Sequence, residues 1–278
     1  MKQAILVVAF GSTVDSAREH QIDAVVNRIK ERYTDYEVRL AFSSRIIVKR
    51  LRDRGIEIPT EQGALDALIG EGYTDIYVQP LHFTGGEEFD KLKHNILNHE
   101  RAHELNTLRV GRPLVYYMGQ EEHPNDYQIL IDTFVTSISV SNEDGLLLIG
   151  HGGLGSGNSA YGYLQYQLIR SGLNHIRVAT LENAPYVADI AVPWEWLDGK
   201  KPNKIYVHPL LLVLGDHALN DLFGDEEDSV VNVLKEAGYE VEEMHHALGE
   251  YTEIQDIYCQ HIQDCIDDIY GKRSSHRP

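Results

Sequence analysis

Apolar positions along this chain fall into short continuous runs, and each run is followed by a stretch with helical spacing. AILVVAF (4–10) leads into an amphipathic segment that ends near Tyr33. EVRLAF (37–42) precedes SSRIIVKRLRDRG, and DIYVQPL (75–81) precedes EEFDKLKHNILNHERAHEL. After a turn-rich stretch, Gly119 to Asn125, the rhythm returns with LLLIG (146–150), IRVATL (176–181) and IYVHPLLLVL (205–214). Strands that are apolar at every position, instead of every second one, are buried on both faces. Their alternation with helices predicts parallel sheets covered on either side.

The halves also repeat one another. VVAFGS (7–12) matches LIGHGG (148–153), VRLAFSSR (38–45) matches IRVATLEN (176–183), and DIYVQPLHFTGGEE (75–88) matches KIYVHPLLLVLGDH (204–217). Order and spacing agree in all three pairs, with shorter connections in the second half. The predicted architecture is α/β: two similar doubly wound parallel-sheet domains, related by internal duplication and facing a central cleft. The expected division runs 1–122 and 123–278.

A length of 278 residues suits two domains, and 42% apolar with 24% charged residues is a globular balance. No run reaches the roughly 18 apolar residues of a membrane span. The opening MKQAILVVAF reads as a first strand, not a signal peptide. Cys259 and Cys265 are the two cysteines, spaced neither as a disulfide framework nor as a zinc knuckle, so a reducing cytoplasm is the expected compartment. A net charge of −18 argues against nucleic acid and anionic membranes as partners, and leaves room for a small anion bound at a local basic patch. The tail KRSSHRP has the composition of a disordered end.

In open parallel sheets, ligands bind beyond the carboxyl ends of the strands. Those ends in the second half carry His151, Glu182 and Gly215-Asp216-His217, where the first half carries Phe10, Ser44 and Glu88. Two imidazoles and a carboxylate suit a divalent first-row metal, and equally suit proton transfer near pH 7. Each has a plainer role to weigh against this. His151 could be a solvated loop residue, Glu182 an N-cap acid for a helix starting near Pro185, and His217 part of a helix cap beside Asp216. Among other histidines, His82 ends the third strand of the first half, and His208 lies inside a strand, where packing explains it. His245-His246 and the acidic run Asp225–Asp228 read as solvated faces with weak affinity for metals.

The stretch Gly150-His151-Gly152-Gly153-Leu154-Gly155 also fits G-x-G-x-x-G, a dinucleotide fingerprint when it joins strand to helix. Three features count against a nucleotide. Glu182, the ribose candidate, falls later than the usual spacing of about 20 residues. The duplicate turn AFGSTVDS keeps only Gly11, and a nucleotide leaves His217 without a role. The turn is therefore read as one that presents an imidazole.

At these residues the sequence resembles the anaerobic-type sirohydrochlorin cobaltochelatases, members of the class II chelatases that include protoporphyrin ferrochelatase. The resemblance runs from VVAFGS to about Leu248 and is most specific at Gly150-His151-Gly152, at Glu182 in TLEN and at LVLGDHALNDLFGDEEDS (212–229). PLHFTGGEEFDKL (80–92) is similar to the family's first-half loop. It implies insertion of Co²⁺ into sirohydrochlorin or precorrin-2 for cobalamin synthesis, with the divalent metal as substrate and no organic cofactor. Fe²⁺ or Ni²⁺ are further candidate ions. Iron insertion toward sirohaem or haem, or non-catalytic tetrapyrrole or metal binding, are the alternatives, and assembly as a homo-oligomer is left open. The implied metal-binding and catalytic trio is His151, Glu182 and His217, with His151 the principal base and Glu182 balancing charge. Phe10, Ser12, Ser44, Arg45 and His82 are the expected substrate-facing wall. Arg45, Lys49 and Arg50 form the available basic cluster for substrate carboxylates, or else an ordinary exposed helix face. Strand order places His151 between Glu182 and His217.

Overall fold

The computed structural model describes residues 2–190, Trp194 and residues 201–270, so the tail KRSSHRP lies outside the described residues. Strands β1 (Gln3–Ala9), β2 (Glu37–Phe42), β3 (Asp75–Pro80) and β4 (Thr107–Val110) form one sheet in the order β2-β1-β3-β4. Strands β5 (Gly145–Gly150), β6 (Ile176–Thr180), β7 (Lys204–Pro209) and β8 (Glu240–Glu243) form a second in the corresponding order β6-β5-β7-β8. All six ladders are parallel, so the loops leaving β1, β2 and β3, and likewise β5, β6 and β7, open on one edge of each sheet. This is the expected pair of doubly wound sheets, with the first strand of each half between the second and third.

Alternate residues of each strand feed different cores, as a pleated strand requires. Ala4, Leu6 and Val8 of β1 pack with α4 (Glu61–Gly70) and α5 (Glu87–Leu97) on one face. Ile5, Val7 and Ala9 face a core shared by both halves, which takes in α2 (Asp23–Arg32), α7 (Ser159–Arg170) and residues of both sheets. The outer face of the second sheet is covered by α9 (Asp216–Phe223) and α10 (Val230–Glu236). The C-terminal helix α11 (Thr252–Asp267) returns to the first half, packing on α2, β3 and β4. Tyr33 Oη donates to the Cys259 carbonyl at 2.7 Å, and Tyr258 Oη donates to the Leu81 carbonyl at 3.1 Å.

Two differences from the sequence pattern stand out. Each sheet has a fourth strand, β4 and β8, at one edge, with partly exposed residues in place of a continuous apolar run; at the other edge β2 is partly exposed and β6 is buried throughout. And the apolar run 205–214 is not one strand. It leaves the sheet after Pro209, and Leu210 to Leu214 become a loop that turns toward the other half. Among the described residues no helix is long and apolar enough to cross a membrane.

Candidate functional site

The turn after β5 is built by close packing. Gly150 has no space for a side chain, since a Cβ there would lie 2.0 Å from the Tyr161 ring. Gly152 has φ +82°, and its Cβ would fall 1.7 Å from the Glu182 carbonyl oxygen. The turn thus lies directly on the turn after β6, with the Leu181 and Glu182 N–H groups donating to the Gly150 and His151 carbonyls at 3.0 and 2.8 Å. Gly150 makes room for the Tyr161 ring and Gly152 for the backbone of the neighbouring turn, which removes the need to explain them by a pyrophosphate.

That contact brings two of the predicted trio together. His151 Nδ1 lies 3.9 Å from Glu182 Oε2, and both side chains are well exposed. A small movement of either side chain would let the pair grip one cation between a neutral nitrogen and a charged oxygen. His217 is placed elsewhere: it is exposed in the first turn of α9, which Gly215 caps. Among the described residues, no three His, Cys, Asp or Glu side chains are grouped closely enough to hold a metal. His217 follows the Leu210–Leu214 loop and is not among the residues lining the cavity beside the pair.

The pair sits on the rim of a cavity of about 490 Å³ between the halves. The second half contributes His151, Glu182, Tyr161 and the loop Leu210 to Val213. The first contributes Phe10, Leu81, His82, Phe83 and the start of α5, including Glu87, Glu88 and Phe89. The two walls touch where Phe83 stacks on Tyr161, ring centroids 5.5 Å apart and nearly parallel. Of the expected substrate wall, Phe10 and His82 line the cavity, whereas Ser12, Ser44 and Arg45 do not. Ser12 is buried and accepts from the Val14 N–H at 3.1 Å, and Ser44 caps α3 (Arg45–Asp53) by accepting from the Ile47 N–H at 3.4 Å. Their hydroxyls are used on their own backbone. Arg45, Lys49 and Arg50 lie on the exposed face of α3, and among the described residues no Lys or Arg lines the cavity.

His82 is the unusual wall residue. Both ring nitrogens are buried without a hydrogen-bond partner, and burial pushes the imidazole down to about 4, so it is neutral near pH 7. His208, inside β7, differs: one ring nitrogen meets the Pro209 carbonyl and the other meets Tyr251 Oη, each at 2.8 Å. It belongs to the packing. His245 and His246 each pair with a carboxylate, Glu243 and Glu250, at 3.0 Å.

Sequence reasoning passed over Tyr161, Phe83, Phe89 and the loop Leu210 to Val213 as parts of the site. Glu88 was visible only as a partner position in the repeat. The sole signal for Tyr161 was that the strand before it ends in glycines, a gap that something large had to fill.

The Cobalt chelatase (CbiK) family model matches residues 3–267. The chain belongs to this family. It is 30% identical to the sirohydrochlorin cobaltochelatase of Salmonella typhimurium, covering 96% of this chain and 97% of the relative. It is 26% identical to the sirohydrochlorin cobaltochelatase CbiKC of Nitratidesulfovibrio vulgaris, over 95% and 91%. Among solved structures, SirB from Bacillus subtilis with Fe³⁺ shares the fold of this cobalt chelatase family member. The TM-score is 0.67 at 18% identity, covering 98% of both chains. This cobalt chelatase is therefore an enzyme whose substrate includes a divalent metal ion, and the cleft between its two sheets is where a metal and a flat acceptor could meet.

Proposed function

We propose that this protein is a sirohydrochlorin cobaltochelatase, inserting Co²⁺ into the macrocycle for cobalamin synthesis. The observation that carries this is the His151–Glu182 pair on the rim of a mainly apolar cavity between the halves, in a chain of the cobalt chelatase family. Residues 123–278 supply the metal-delivering groups, and residues 1–122 supply the opposing wall.

Insertion exchanges one divalent ion for two pyrrole protons, and the ion must first shed water. Glu182 and neutral His151 replace part of that water, so the ion stays solvated by protein as it approaches the ring. An imidazole nitrogen that holds the ion cannot accept a proton at the same moment. His151 therefore acts in sequence, first as ligand and then, once the ion has passed to the ring, as the base for one pyrrole proton, with His217 the base for the other. His217 completes the ligand set when the first turn of α9 moves toward the pair. Phe10 and the leucine loop meet the ring face. His82 offers a neutral imidazole on the opposite wall, and Ser12 and Ser44 hold the turn and helix that frame it. The substrate's carboxylates have no cation to meet inside the cavity and three glutamates, Glu87, Glu88 and Glu182, to avoid. They project outward, where Arg45 on α3 is placed to receive them.

The test is to mix purified protein with sirohydrochlorin and Co²⁺ and follow the absorption spectrum, with precorrin-2, Fe²⁺ and Ni²⁺ as parallel arms. Multiple turnovers with Co²⁺ are expected. A shift that stops at one equivalent would mean tetrapyrrole binding without catalysis, and faster turnover with Fe²⁺ would replace cobalt by iron. No organic cofactor is needed for this reaction, and a cytoplasmic protein, alone or as a homo-oligomer, fits it.

A further inference from the structure

Gln21 belongs to a five-residue π turn, Arg18–Ile22, between α1 (Asp15–Ala17) and α2. A π turn packs an extra residue into the helix and is often found at functional positions. Here it turns both Gln21 and Ile22 inward. Gln21 is 8% exposed, and its side chain makes two bonds into the other half of the molecule. Its Nε2 donates to Glu250 Oε1 at 2.8 Å, and its Oε1 accepts from the backbone N–H of Leu214 at 2.8 Å.

The amide orientation follows from its neighbours. Glu250 Oε1 also accepts from the Ala247 N–H at 3.0 Å, and Oε2 meets His246 Nδ1 at 3.0 Å. Burial acts to raise this carboxyl, yet the hydrogen bonds from His246, Ala247 and Gln21 leave it below its usual value. A carboxylate can only accept, so the Gln21 NH₂ must face it and the carbonyl must face Leu214. Leu214 directly follows Val213, the last residue of the loop that lines the cavity. Gly215 follows as the cap of α9, and His217 lies in the first turn. Leu214 is buried, so its N–H would cost free energy if left without an acceptor. An apolar residue at position 21 could fill the space, but it could not tie the loop.

We propose that Gln21 is a positioning residue for metal delivery: from the first half it anchors Leu214, the hinge about which the turn carrying His217 moves toward the His151–Glu182 pair, and with it the adjoining cavity wall. The inference rests on the reading of His217 as a ligand. It predicts that Gln21→Met, of similar length without the hydrogen bonds, weakens Co²⁺ binding and lowers Co²⁺-insertion turnover, each by about tenfold. Thermal unfolding should stay within a few degrees of wild type. Gln21→Glu should be as impaired, since it sets two carboxylates against each other. In a His217→Ala background, Gln21→Met should add no further loss.

Wild-type turnover in Gln21→Met, or full additivity with His217→Ala, would each overturn the proposal. If His217→Ala itself leaves Co²⁺ binding and turnover intact, the ligand reading of His217 falls. The tie is then judged on the wall alone: a raised tetrapyrrole KM in Gln21→Met upholds loop positioning, and an unchanged KM refutes it.

Discussion

The cavity walls come from two copies of one sheet arrangement, and the copies place polar and apolar groups at opposite strands. After the first strand, the first half presents Phe10, half exposed, where the second presents His151. After the third strand the order reverses, with His82 in the first half and Leu211 at the matching position in the second. Both first-strand turns keep a glycine that a side chain could not replace. A Cβ on Gly11 would lie 2.6 Å from the Phe42 ring, and one on Gly152 would strike the Glu182 backbone. The backbone of the turn has been kept while the residue at its tip changed. A fold of this kind supplies an open, rigid turn, and the chemistry depends on what stands there. On the function proposed above, one wall is a contact surface for a ring and the other handles the metal.

The sharpest way to break this division is to remove the imidazole. His151→Ala should lower Co²⁺ insertion at least about a hundredfold, the scale of a lost general base, while thermal unfolding stays unchanged because the side chain is exposed. Near-normal turnover would remove the distinction between the walls.

The next effect tests the shared turn geometry. Gly152→Ala should cost about 2 kcal/mol of stability, because backbone, not a flexible side chain, occupies the space. Gly153→Ala, with nothing within 4 Å of its Cβ, should change stability by no more than about 0.5 kcal/mol. Denaturant unfolding of both variants decides, and equal costs would discard the packing explanation of the glycines.

Phe10→Ala probes the other wall. Losing a half-exposed ring contact should raise the tetrapyrrole KM by about tenfold and leave kcat nearly unchanged. A loss confined to kcat would put Phe10 with the chemistry.

The last comparison concerns His82. Its folded imidazole sits at about 4 and its unfolded one at the ordinary 6.5, so below pH 6.5 the unfolded chain binds a proton that the folded chain refuses. Stability should fall as pH drops from about 6.5 to about 4, with His82 contributing a slope of at most ~1.4 kcal/mol per pH unit. His208, pushed down to about 4 by burial, adds in the same window. His82→Leu, which copies the residue at the matching place in the second half, should flatten the slope. An unchanged slope would assign the titration to other groups.

How much of this was legible depended on range. Continuous apolar runs announce buried strands, because a residue's burial on both sheet faces shows directly in its type. That made β1, β2, β3, β5 and β6 readable, and with them the strand ends bearing His151 and Glu182. Edge strands β4 and β8 carry mixed residues and left no such mark. The end of β7 was hidden because a leucine loop lining a cavity needs the same apolar residues as a strand in a core.

The order of apolar runs, helices and glycines along the chain was enough to determine two parallel sheets of like topology and an imidazole held at a strand end. Each of those features depends on neighbours within one βα unit, so local sequence carries the information. The tertiary structure alone decided which side chains meet across the cleft. It stacked Phe83 on Tyr161, returned α11 to the first sheet, left His217 apart from the His151–Glu182 pair, and set Gln21 against Leu214. These contacts join residues separated by tens to hundreds of positions, and they follow from how two finished halves pack, a quantity that no periodicity within either half records.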